Sequence, residues 1–124
     1  MKNILLIAIC IFVFLDGLFV PKALEIGPLI QDTFAAAYKR GVKICFGTDA
    51  GVFPHGENAK EFIYMSEAGM PIIETIISAT RVPAEIMGTI DKLGTLTVGK
   101  YADIIAVEGD PTEDVNTMTQ VQFV

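Results

Sequence analysis

Gly41-Val42-Lys43-Ile44-Cys45-Phe46-Gly47-Thr48-Asp49-Ala50-Gly51 is the stretch that decides the fold. Apolar types dominate Val42 to Phe46, as expected for a short parallel strand covered on both faces. The strand runs into a glycine-flanked turn holding a carboxylate, Asp49. In parallel α/β folds and barrels, functional loops leave the C-terminal ends of strands in this way.

Outward from this segment, Ile30, Phe34, Ala37 and Tyr38 fall at helical spacing. They predict a helix over 29–40 that Gly41 terminates. Residues 21–28 have a proline at each end and read as connection. Downstream, Pro54, His55 and Gly56 mark a loop. Asn58 followed by Glu61 predicts a capping box opening a helix that continues to Gly69. Pro71 can occupy the first turn of the next helix, whose Ile72, Ile73, Ile76 and Ile77 give it one apolar core face. Thr80 is expected to cap a short helix that ends at Gly88, with Pro83 tolerated in its first turn. Leu93 to Val98 then reads as an edge strand, Ala102 to Val107 as a more buried strand, and Val121 to Val124 as one more. One helix–strand–helix unit cannot bury both faces of a parallel sheet, so the apolar residues 42–46 call for neighbouring strands.

The chain has 124 residues, the size of one ordinary domain or less. Its 52% hydrophobic content suffices for a core, and 19% charged residues argue against disorder along the whole chain. A net charge of -6, with only Lys39, Arg40 and Lys43 close together, argues against nucleic acid as a partner. Cys10 and Cys45 are too few and too far apart for a disulfide framework. Cys45 reads as a small buried hydrophobe, with no histidine beside it in sequence to make it a nucleophile.

The opening is a separate problem. One lysine, Lys2, precedes a charge-free run from Ile4 to Leu15; Asp16 and Gly17 interrupt it and Leu18-Phe19-Val20 resume. This matches a signal peptide or membrane anchor over residues 1–20, with membrane contact through residues 4–20. A secreted, periplasmic or membrane-anchored location follows if the leader is genuine, and a cytoplasmic one otherwise. A buried strand or helix, or the product of a gene truncation or fusion, stands beside that reading. The run is short for a membrane span, and Asp16 makes it worse.

Asp49 is the leading chemical candidate. A carboxylate at a strand end can ligate a metal and take a proton from bound water; equally, it can form an Asx turn. His55, the single histidine, follows six residues later in an accessible loop. It can bind substrate, ligate a metal, exchange a proton near neutrality, or simply be solvated. A catalytic zinc site takes three protein ligands and a water, and this chain reaches three only by recruiting Glu57 or Glu61.

Taken together, residues 41–51, His55 to Phe62, Glu67 to Met70, Ser78-Ala79-Thr80 and Leu93 to Val107 closely resemble the C-terminal end of the amidohydrolase superfamily. The branch is imidazolonepropionase-like and Xaa-Pro dipeptidase-like, and the resemblance spans about residues 22–115. It implies an α/β fold in which Val42 to Phe46 is the last strand of a TIM-type metal-dependent hydrolase barrel. Residues 21–92 would be the C-terminal part of that barrel and residues 93–124 part of a composite β-domain. Family members hydrolyse amide, cyclic amide or dipeptide C–N bonds, usually with one or two zinc ions or another divalent metal. By resemblance, Asp49 helps hold the metal and moves a proton from the attacking water to the leaving group, and His55 lies near the substrate. The family's other metal ligands have no counterpart here. The expectation is therefore a hydrolase-related chain that alone binds zinc poorly and turns over little. The alternative is a non-catalytic exported or membrane-anchored interaction module that binds a partner through surface that once packed against the barrel, with self-association through the exposed core as one form of that binding.

Overall fold

The computed structural model describes residues 20–51 and 54–124. The expected leader or anchor lies outside these residues, apart from Val20, which opens helix α1. Along the chain come α1 (Val20–Lys39), α2 (Lys60–Glu67), α3 (Ile72–Ala79), α4 (Arg81–Ile86), β1 (Ala106–Val107), a 3-10 turn (Val115–Thr119) and β2 (Val121–Phe123). No described helix is long and apolar enough to cross a membrane.

The helix expected from residue 29 begins nine residues earlier and takes in the supposed connection. Pro21 falls in the first turn, where a missing N–H costs nothing, and Lys22, Ala23, Leu24 and Glu25 are good helix formers. Pro28 is accommodated inside the helix at the loss of one ladder bond. The far end behaves as read. Gly41, at φ 74°, donates to Tyr38 O at 2.8 Å, and Val42 donates to Ala37 O at 3.2 Å. That is a Schellman closure, and it needs the left-handed backbone that glycine adopts freely. The same pair of bonds closes α2 at Gly69 and Met70, and α4 at Gly88 and Thr89.

Phe34, Ile44, Met65 and Met70 form the core, with Tyr38, Phe46 and Ala68 packed around them. The core thus joins α1, the extended segment 42–48 and α2. The Phe46 and Phe62 rings meet at a centroid distance of 4.4 Å, inclined by 31°. Burying one side chain of this size stabilises the fold by about 1.5–3 kcal/mol. On its other flank α2 packs against the 3-10 turn, where Met118 is buried.

Residues 42–46 run extended but form no ladder among the described residues, so the expected strand is absent as such. Its pairing partner is replaced by a helix end: Phe46 N–H donates to Ser78 O at 2.9 Å. The isoleucine face of α3 also differs from expectation. Thr75 and Ser78 are the fully buried side chains of that helix, while Ile73 and Ile77 are 51% and 38% exposed. Close approach to the extended backbone favours the two small side chains, which satisfy their own hydroxyls by donating to Ile72 O and Thr75 O, each at 2.7 Å. Thr80 sits at the N-cap of α4 but makes no capping bond; its hydroxyl donates back to Ile76 O at 2.8 Å. Pro83 occupies the first turn of α4, as expected.

Leu93 to Val98 bends and pairs with no strand among the described residues, rather than forming an edge strand. Lys100 explains this, because its ammonium gathers the carbonyls of Ile90 and Leu93 into a closed loop. Of the strand expected over 102–107, only Ala106 and Val107 pair, antiparallel to Val121–Phe123 with an irregularity in register. The described sheet is therefore small and open.

Candidate functional site

The site begins where the extended segment emerges from the core. Ile44 is buried, Cys45 and Phe46 are half-buried, and Asp49 is exposed. Packing against α2 and α3 thus carries the chain from interior to surface within five residues. Cys45 packs as a small hydrophobe; its thiol lies 3.7 Å from its neighbour's carbonyl, Phe46 O. Asp49 has a φ of 48°, the one non-glycine in the left-handed region among the described residues. Aspartate tolerates that backbone better than most side chains, and such conformations gather at binding and catalytic turns.

His55 lies on the returning limb, exposed, between Pro54 and Gly56. Asn58 joins the limbs. Its Nδ2 donates to Thr48 Oγ1 at 3.2 Å, and its Oδ1 accepts from the Gly56 N–H at 3.3 Å. The structure thus places Asp49 and His55 on one loop whose two sides are held together by a third residue.

The expected capping box does not form. α2 starts at Lys60 with Ala59 in the cap position and no side-chain cap. The Asn58 amide is occupied by the loop behind it, so it cannot serve the helix ahead. Glu61, released from that role, is only 7% exposed. It lines a small pocket with Ile30, Gln31, Phe34, Tyr64, Met65 and Ala68. Loss of water around the carboxyl pushes its pKa up to about 7. Burial opposes the charge there, and no countercharge offsets it.

Neither glutamate completes a metal centre. Glu57 is held by Lys60 at 2.9 Å, an ion pair that raises the lysine pKa chiefly through its hydrogen bond. Glu61 faces the α1–α2 groove. Among the described residues, no group of three His, Cys, Asp or Glu side chains could hold a metal ion. One carboxylate and one imidazole do not make the three-ligand set that a catalytic zinc takes, so these residues by themselves do not fit the ion.

Two residues of this region escaped sequence reading. Thr48 was hidden as a small polar residue in a glycine-rich turn. Asn58 was visible, but its strong propensity for helix caps pointed to the wrong partner.

A model of the amidohydrolase family matches residues 9–124, a span that begins inside the apolar opening segment. The chain is 34% identical over 93 residues to the ochratoxinase of Aspergillus niger, covering 73% of this chain and 19% of that enzyme. A crystal structure of a Xaa-Pro dipeptidase with methionine bound in its active site matches with a TM-score of 0.76 and 54% identity. That match covers 82% of this chain and 25% of the dipeptidase. The crystal structure of the A. niger ochratoxinase matches at a TM-score of 0.67 and 30% identity, over 86% of this chain and 25% of that one. The chain therefore spans about a fifth to a quarter of the length of these relatives.

Proposed function

The chain belongs to the amidohydrolase family, and we propose that it contributes the Asp49 loop to a hydrolase that cleaves a dipeptide C–N bond. The observation carrying this reading is the 54% identity to a Xaa-Pro dipeptidase over 82% of the chain. Within the family, the reading places the chain in the imidazolonepropionase-like and Xaa-Pro dipeptidase-like branch. Residues 21–92 stand for the C-terminal part of a TIM-type barrel and residues 93–124 for part of a composite β-domain. The extended segment 42–48, buried at Ile44 yet without a ladder, supports a strand that further strands would flank. Exposed Ile73, Ile77, Leu96 and Val98 are further surface that more polypeptide would cover.

In this reading Asp49 is the proton carrier. Water attacks the amide carbonyl carbon, the carboxylate takes the proton that water sheds, and the same proton passes to the nitrogen as the C–N bond breaks. His55, on the opposite limb of the loop, binds substrate. A zinc or other divalent ion, as the family implies, would need donors beyond those described here. The 124 residues alone are accordingly expected to bind zinc weakly and to turn over little.

The test compares the native gene product with its Asp49→Asn variant on Xaa-Pro dipeptides. The expected result is a loss of about 10²- to 10⁴-fold in kcat, the usual worth of a positioned acid–base group. An unchanged rate would remove Asp49 from the reaction. Stoichiometric tight zinc and hydrolysis by the pure 124-residue chain would refute the expectation that it is incomplete.

A further inference from the structure

We propose that Asn58 is a positioning residue, which fixes His55 in relation to Asp49 by bracing the two limbs of their loop; this rests on the assignment of both residues to a reacting centre. The two ends of one planar amide are in use at once. Nδ2 reaches Thr48 Oγ1 at 3.2 Å, directly before Asp49, and Oδ1 takes the Gly56 N–H at 3.3 Å, directly after His55. Asn58 is half-buried, whereas Asp49, Ala50, Gly51 and residues 54–57 are exposed. Little packing therefore holds the loop. Among the described residues, no other hydrogen bond runs between 47–51 and 54–58.

The backbone on the first limb needs such support, because Asp49 stands at φ 48°, a conformation that a non-glycine residue in an open loop leaves easily. Asparagine suits the task because its amide presents a donor and an acceptor on opposite arms of a short stem. Alanine offers neither. Aspartate can keep both bonds, provided the Thr48 hydroxyl turns to donate, and it adds a negative charge to the loop.

The bridge is testable without substrate, in the full chain labelled for NMR. Asn58→Ala should speed Gly56 amide exchange about five- to tenfold, the factor expected from one lost hydrogen bond. It should also move the His55 ring resonances toward those of a free histidine. Thr48→Val should leave the Gly56 bond but shift His55, with which Thr48 shares no hydrogen bond among the described residues. Asn58→Asp should restore Gly56 protection, because the carboxylate keeps an acceptor for that N–H. A folded Asn58→Ala with unchanged Gly56 exchange and unchanged His55 resonances overturns the proposal. Should that variant fail to fold, unchanged His55 resonances in Thr48→Val overturn it instead. Unchanged hydrolysis in Asp49→Asn would sink the hydrolase reading and leave the exchange readout untouched, so the two failures are distinguishable.

Discussion

The Phe46 N–H donates to the Ser78 carbonyl at 2.9 Å, so the extended segment leading to Asp49 is anchored on the last turn of α3. Ser78 and Thr75 are both fully buried and both small, which suits a close approach at this bond.

A larger residue at this contact should push the two elements apart. Ser78→Leu is expected to lower stability by about 1–3 kcal/mol through overpacking. Urea unfolding would show a lower midpoint at an unchanged slope. A midpoint equal to that of the parent would mean that the approach is loose.

Glu61 should make the fold pH-sensitive. Burial pushes its carboxyl up to about 7 in the folded chain, from the ordinary 4.5, so the folded state binds the extra proton between those limits. Stability from this group is complete below about pH 4.5 and is lost as pH rises through 7. Glu61→Gln should therefore be more stable than the parent at pH 8, by on the order of 2–3 kcal/mol. The advantage should vanish near pH 4. A pH-independent difference in melting temperature would contradict this account.

Gly94 lies against the α3–α4 junction at φ 84°. A Cβ there would stand 2.6 Å from Ala84 Cβ and 2.9 Å from the Thr80 carbonyl. Gly94→Ala is expected to cost about 2 kcal/mol or more, from clash and backbone strain together. Gly88→Ala, at φ 68° but with nothing near its Cβ, should cost about 1 kcal/mol from the backbone alone. Thermal melts of the two variants give the comparison; equal losses would show that the clash relaxes.

Asp49 should trade stability for function. At φ 48° a glycine is unstrained, so Asp49→Gly should leave stability unchanged or raise it by up to about 1 kcal/mol. On the proposed hydrolase reading, the same substitution should abolish hydrolysis by the native gene product. A destabilised Asp49→Gly would mean that the carboxylate holds the turn rather than serving the chemistry.

The helix ends were legible because they are local events. Gly41, Gly69 and Gly88 each follow an apolar periodic run, and each closes its helix with the same two bonds. The final strand was legible for a similar reason, a short run of β-forming residues after a polar turn. The start of α1 was misread because two prolines outweighed the helix formers between them. Asn58 was misread because helix capping and loop bracing use the same amide, and spacing cannot say which partner comes within reach.

By itself, the sequence determined the places where helices stop, the apolar residues 42–46, and Asp49 on the turn that follows them. These depend on backbone preference and on hydrophobic patterning over a few residues. Tertiary structure decided that Ser78 O, rather than a strand, receives Phe46 N–H, that Glu61 is buried rather than capping, and that Asn58 joins Thr48 to Gly56. The Phe46–Ser78 and Asn58–Thr48 bonds depend on which groups meet across ten or more residues, and Glu61 on which face of its helix is covered. A side chain or carbonyl with several possible partners takes the one that packing brings within hydrogen-bond distance.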